Sequence, residues 1–88
     1  MLKIGRTKTD RAVVLTLSGR LTAENITTLS AVIAAETTGQ LLALDLADVI
    51  LADREAIRFL LHCDACEHIR LRNRPAFIRA WMAREAKS

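Results

Sequence analysis

Asp45, Asp48 and Asp53 stand close together in the chain, and carboxylates so grouped could act as acid and base or hold a magnesium ion. Asp48 and Asp53 fall near the expected carboxyl end of a strand, where α/β folds place ligands. No glycine-rich phosphate loop, nucleophile–base pair or neighbouring histidine completes the set. Helix capping accounts for Asp53 without catalysis. We therefore read the chain as not an enzyme and expect no cofactor.

Cys63 and Cys66 form a CxxC. Redox pairs of that spacing sit at a helix N-terminus, where the dipole lowers a thiol's pKa. Here the periodicity places the pair about three turns inside a helix, so buried structural thiols are expected. His62 and His68 would extend it into a metal set, but on the helix wheel they point apart and no second ligand cluster exists. No metal site is expected.

Arg54, Arg58 and His62 recur every four residues and line one side of a helix, with Glu55 flanking them. Arg70, Arg72, Arg74, Arg79 and Arg84 are the densest basic group. A nucleic-acid platform would interleave exposed aromatics with such arginines. Phe77 and Trp81 fall instead on an apolar helix face and are expected to pack, so nucleic acid is not the expected partner.

These residues need elements to hold them. Leu2-Lys3-Ile4 alternates as a short edge strand, and Thr7–Arg11 reads as a turn. Ala12–Leu17 is a β-branched strand that Gly19 ends. Thr22 is placed to cap a helix carrying Ile26, Leu29, Val32 and Ile33, which stops near Thr37-Thr38-Gly39. Gln40–Leu46 is almost wholly apolar and suits a strand covered on both faces, with Asp45 at its polar end or holding a backbone partner. Val49-Ile50-Leu51 reads as a plug tucked under the next helix. Asp53 opens that helix, whose apolar arc takes Ala56, Ile57, Phe59, Leu60, Leu61 and Cys63. Asp64 falls inside this arc without explanation. Ile69–Arg72 is a half-exposed strand. Asn73 caps a last helix with Pro75 in its first turn and Phe77, Ile78, Trp81 and Met82 on its apolar face; beyond it Glu85–Ser88 is expected to fray. Both later strands follow a helix, so parallel crossovers are expected.

The chain has 88 residues, enough for one domain and one modest core, and 1–88 is read as a single domain. With 51% apolar and 26% charged residues the composition is that of a globular protein. No apolar run reaches the roughly 20 residues of a membrane span, and the start lacks a signal-peptide core, so a cytoplasmic location is expected. The net charge of +3 is unevenly placed: residues 1–53 carry five basic and six acidic groups, residues 54–88 eight basic and four acidic. A solvated basic surface is the simplest reading of that excess.

The chain resembles a STAS domain, the fold of bacterial anti-sigma-factor antagonists and of the cytoplasmic tails of sulphate transporters. The resemblance rests on Val14–Leu21, on Leu44–Asp53, on Ile57-Arg58-Phe59-Leu60, and on Leu71–Pro75 with the helix that follows. It implies an α/β fold, a mixed sheet of about four strands with about three helices packed on it. In antagonists of this family the second helix starts Asp-Ser-Ser-Gly or close to it, and the hydroxyl after the aspartate accepts phosphate from a partner kinase. Here the run is Asp53-Arg54-Glu55-Ala56. Arg54 has no hydroxyl and a fixed positive charge, so no phosphorylation site is expected. Family members also often carry a further strand or helix at the end, and its lack would favour a homodimer over an uncovered apolar patch.

The implied function is a small protein-interaction module, a cytoplasmic signalling regulator of the antagonist type in bacterial transcription, without the switch. The implied partner surface is Arg20, Thr22, Asp53, Arg54, Glu55, Arg58 and His62, and the implied partner an anti-sigma-type kinase, a signalling assembly or a transporter subunit. The alternatives are an accessory subunit of a transporter complex, or a binder of nucleic acid or an anionic ligand through the basic last strand and helix.

Overall fold

The computed structural model describes residues 1–36 and 40–87. The elements are β1 (Leu2–Lys8), β2 (Ala12–Leu21), α1 (Ala23–Ala35), β3 (Leu41–Ala52), α2 (Arg54–Asp64), β4 (Ile69–Arg72) and α3 (Ala76–Ala86). They form one four-stranded sheet in the order β1-β2-β3-β4. β1 pairs antiparallel with β2, while β2–β3 and β3–β4 are parallel. Each parallel pair is joined through a helix, as expected. Right-handed crossovers that step the same way across a sheet put α1 and α2 on one face.

Alternation along β2 fixes that face: Val13, Leu15 and Leu17 are buried, while Val14, Thr16 and Ser18 are half-buried. In register with them, Leu42 and Leu44 of β3 and Ile69 and Leu71 of β4 point the same way. Leu29 from α1, Ile57 and Leu60 from α2, and Ile78 and Met82 from α3 close one core against this layer. Lys3, Arg70 and Arg72 stand exposed on the far side. Arg6 of β1 forms an ion pair with Glu36 just beyond α1, and the Arg6 guanidinium, chiefly through its hydrogen bond, holds the Glu36 carboxyl below the usual range.

Several elements differ from the sequence reading. β1 runs on to Lys8, so the turn is confined to residues 9–11, where Thr9 N donates to Ala12 O at 2.8 Å. β2 continues to Leu21; Gly19 does not end it but sits inside it at φ 100°. A Cβ there would run into the Met1 carbonyl oxygen, which accepts from Arg20 N at 3.2 Å. Only glycine fits that left-handed conformation and close approach without strain.

β3 is the larger surprise. It extends six residues past Leu46, to Ala52, and carries the expected plug as strand. Thr16 faces Asp45 and Ser18 faces Asp48; Gly19 faces Val49 and Arg20 faces Leu51. β3 thus holds one extra residue at each of two steps, and each bulge shifts the inside–outside alternation. Val49 is buried, but Ile50 and Leu51 are 74% and 43% exposed and tuck under nothing. At the first bulge Asp45 Oδ1 accepts from Ala47 N at 3.0 Å, the backbone partner its position called for.

At the other end of the chain, Asn73 does not cap α3. It adopts the left-handed conformation at φ 54°, and Pro75 takes the cap position. Ile78 and Met82 are buried and Trp81 packs against the core, but Phe77 is 40% exposed and lies off the packed face. Glu85 does not fray: it lies in α3 with its side chain largely covered. Asp64 is the exposed last residue of α2, so the apolar arc has ended where the wheel placed it. The stop expected for α1 at Thr37-Thr38-Gly39 lies outside the described residues.

Candidate functional site at the start of α2

Asp53 is extended, at φ −112° and ψ 177°, and its carboxylate serves two helices. Oδ1 accepts from Ala56 N at 2.9 Å, in the first turn of α2. Oδ2 accepts from Ala23 N at 2.8 Å, the first residue of α1. Its backbone N donates to Leu21 O at 3.3 Å, and its carbonyl accepts from Ile57 N at 3.0 Å. One residue therefore ties the end of β2 to the starts of α1 and α2. A carboxylate at two positive helix ends meets amides that no backbone acceptor reaches.

Thr22 stands at the α1 cap position, but its hydroxyl does not cap the helix. Thr22 Oγ1 and the Arg20 carbonyl both accept from Asn25 Nδ2, at 3.4 and 2.7 Å. The expected hydroxyl cap is replaced by a carboxylate from thirty residues further along the chain. Arg20, Thr22, Glu24, Asn25 and Asp53 line a cleft of about 400 Å³ at this junction.

Along α2, Ala56, Ile57, Leu60 and Cys63 are buried while Arg54, Glu55, Arg58 and His62 are exposed, the division that helical spacing predicts. The cationic stripe is partly neutralised. Arg54 Nε donates to Glu85 Oε1 at 2.6 Å, and the Glu85 side chain is only 10% exposed. Arg58 Nη1 stands 3.7 Å from Glu55 Oε1, with both side chains more than half exposed. Sequence reasoning missed Glu85 because its partner lies in another helix; its only signal was an acidic residue in an otherwise basic last turn. The structure thus gathers Arg20, Thr22 and Asp53 at one cleft and leads Arg54, Arg58 and His62 away from it along one exposed helix side.

The other candidates do not converge. Among the described residues no three His, Cys, Asp or Glu side chains are grouped to hold a metal ion. Asp45 bonds its own bulge, Asp48 is exposed on the strand, and both Asp53 oxygens are engaged. The CxxC does not lie within the helix. α2 ends at Asp64, and Cys66 lies past its cap, donating its backbone N to Cys63 O at 3.0 Å. Burial, with a smaller contribution from Cys66, pushes the Cys63 thiol up to about 11. The negative end of a helix opposes a thiolate, so this is the wrong end for an activated pair. In the basic group Arg70 Nη1 donates to Glu67 O at 3.2 Å, and Arg74 Nη1 approaches Met82 Sδ at 3.8 Å.

The sheet order, the two crossovers and the shared helix start define a SpoIIAA-like α/β fold. The structure is similar to the crystal structure of an uncharacterized protein from the DUF3478 family with a SpoIIAA-like fold, from Shewanella loihica PV-4. The two superpose with a TM-score of 0.55 at 14% identity, over 98% of this chain and 77% of that one. The chain belongs to the family described as "Mlab, STAS domain", whose model matches residues 4–85. None of the curated proteins matches it. No helix among the described residues is long and apolar enough to cross a membrane.

Proposed function

We propose that this STAS domain is a non-enzymatic, cytoplasmic protein-interaction module that docks through the start of α2 and is not switched by phosphate. It is a signalling regulator of the antagonist type that has lost the toggle. The observation that carries this reading is Arg54: the residue after Asp53 has no hydroxyl and is tied to Glu85 on α3. Asp53 supports it, since a carboxylate that fastens two helix starts makes a rigid platform. Arg20 and Arg58 are exposed around that platform and present positive charge to a partner, and His62 is exposed further along α2.

The test separates docking from folding. Arg54→Glu with Arg58→Glu should abolish capture of a protein partner from the native host. Arg54→Glu with Glu85→Arg rebuilds the ion pair with its ends exchanged, so it should keep the wild-type melting temperature and still lose affinity. Full capture by both variants refutes the reading. Incubation with an anti-sigma-type kinase and ATP should add no phosphate to residues 53–56, read by intact mass and peptide mapping.

A second reading, accessory subunit of a transporter complex, is favoured by the same two ties. A subunit held permanently needs a preformed surface rather than a reversible one, and a start braced by Asp53 and Glu85 is preformed. Stoichiometric co-purification with membrane subunits after detergent extraction distinguishes it from transient capture.

A further inference from the structure

A second cleft, of about 300 Å³, lies between α2 and α3. Its α3 wall is Arg79, Met82, Ala83 and Ala86, residues three and four apart on one face of the helix. Leu61 and Asp64 of α2 form the other wall. The cleft is open because α3 offers only methyl groups at Ala83 and Ala86, both exposed, where longer side chains would fill the space. Met82 is buried and Leu61 half-buried, so the lining between the charged residues is apolar.

Arg74 reaches the same cleft from the turn before α3. Its Nη1 donates to Met82 Sδ at 3.8 Å, and its side chain has no other polar partner among the described residues. A thioether is a weak acceptor, so a half-buried guanidinium with five N–H donors has one soft contact. The Arg79 and Asp64 side chains form no ion pair or hydrogen bond among the described residues. Arg6, Arg54 and Arg58, by contrast, each have a carboxylate neighbour. Holding a cation partly out of water without a counter-charge costs free energy that a bound anion returns.

We propose that the cleft between α2 and α3 binds a carboxylate carried on a short apolar body. The planar Arg74 guanidinium offers paired donors to the carboxylate, and Arg79 adds a second positive charge to the lining. The body lies on Leu61, Met82 and Ala83, and a volume at the small end of ligand pockets keeps it short. Charge selects the head group. Two arginines and Asp64 leave the lining at +1, which one carboxylate neutralises, whereas a phosphate dianion exceeds it and faces Asp64. The chemistry is the same for a free organic acid and for a polypeptide C-terminus ending in an apolar residue. Leu61 stands about 10 Å along α2 from Arg54, so the site is separate from the docking surface at the helix start.

The experiment titrates the intact chain, isotopically labelled, with small probes. Hexanoate and N-acetyl-leucine should bind at millimolar concentration or below, with amide shifts centred on residues 61, 64, 74, 79 and 83. Hexanol, N-acetyl-leucine amide and acetate each lack the charge or the body, and should bind about tenfold more weakly or worse. Hexyl phosphate at pH 8 should bind more weakly than hexanoate, and Asp64→Asn should narrow that gap. Arg74→Gln should lower hexanoate affinity about tenfold, and Arg79→Gln should lower it less. Ala83→Leu fills the cleft without changing a charge, and should abolish binding at an unchanged melting temperature. Tighter binding of N-acetyl-leucine than of hexanoate supports a chain terminus as the source, and the reverse order supports a free acid. Equal affinity for hexanoate and hexanol, shifts centred on Arg20 or Arg54, or full affinity in Arg74→Gln overturns the inference. So does tighter binding of hexyl phosphate than of hexanoate, or no saturable binding of either carboxylate.

Discussion

The two halves of β3 have nearly the same composition and opposite fates. Leu41–Leu46 lies between β2 and β4, with Leu42, Ala43, Leu44 and Leu46 all at or below 4% exposure. Ala47–Ala52 has β2 on one side, runs beyond the last β4 pair at Asp45–Arg72, and carries two bulges. There Val49 is buried while Ile50 and Leu51 face water. Hydrophobicity alone does not decide which residues go inside. Pairing on both edges fixes the first half, and extra residues in the strand release the second. The first half holds the sheet together, and the second leads into the start of α2 with two apolar side chains left in water. The measurements that would sharpen or break this division differ greatly in size.

The largest effect belongs to the first half. Leu44→Ala leaves a cavity at a fully buried position covered by strands on both sides, and should destabilise by about 3–5 kcal/mol. For a domain of this size that is enough to unfold much of the population at 37 °C, as a thermal melt would show. A loss under about 1 kcal/mol would mean that the first half is no more essential than the second.

Gly19 comes next, on the strand that faces the second half. Gly19→Ala places a Cβ against the Met1 carbonyl at φ 100° and should cost about 1–3 kcal/mol. It should also displace Arg20, and so perturb the cleft beside α2. A neutral result would show that the N-terminal backbone moves aside without effect on the rest of β2.

Asp53→Ala removes the acceptor for two helix amides and should destabilise by about 1–2 kcal/mol, with Asp53→Asn between it and wild type. Hydrogen exchange should rise at Ala23 and Ala56 together. Faster exchange at Ala56 alone would reduce Asp53 to an ordinary cap of α2.

What the chain disclosed in advance follows physical reach. Leu42–Leu46 was readable as a strand from its apolar run, but the expected cover on both faces is absent: the helices close one face, and on the other only small Ala43 is buried, beside half-buried Asp45 and Thr16. α2 was readable because Asp53 and the four-residue spacing of Arg54, Arg58 and His62 are local signals. The continuation of β3 was hidden by its bulges, which break the period of two that marks a strand and make Val49-Ile50-Leu51 look like a plug. Asn73 resembles a cap in sequence, but its left-handed backbone turns the chain before the helix begins. Thr22 carries a capping hydroxyl that a distant carboxylate displaces. The Arg54–Glu85 pair joins residues 31 apart, beyond any local pattern. Of the candidate site, the side of α2 was legible, and what fastens it to α1 and α3 was not.

The smallest expected effect tests the second half most directly. Ile50→Ser removes a side chain that is 74% exposed, so little burial is lost on folding and stability should stay within about 0.5 kcal/mol of wild type. Solubility should rise, because an exposed apolar residue at the edge of a sheet favours association. The paired control is Val49→Ser, one residue earlier and 3% exposed, which should cost about 2 kcal/mol or more through a lost apolar contact and a buried hydroxyl. Alternation alone separates Val49 from Ile50; the bulge is tested by Leu51→Ser, which should be tolerated nearly as well as Ile50→Ser although an unbroken strand would turn Leu51 inward. If Val49→Ser and Ile50→Ser destabilise alike, Ile50 is packed in solution and the two halves of β3 are one buried strand.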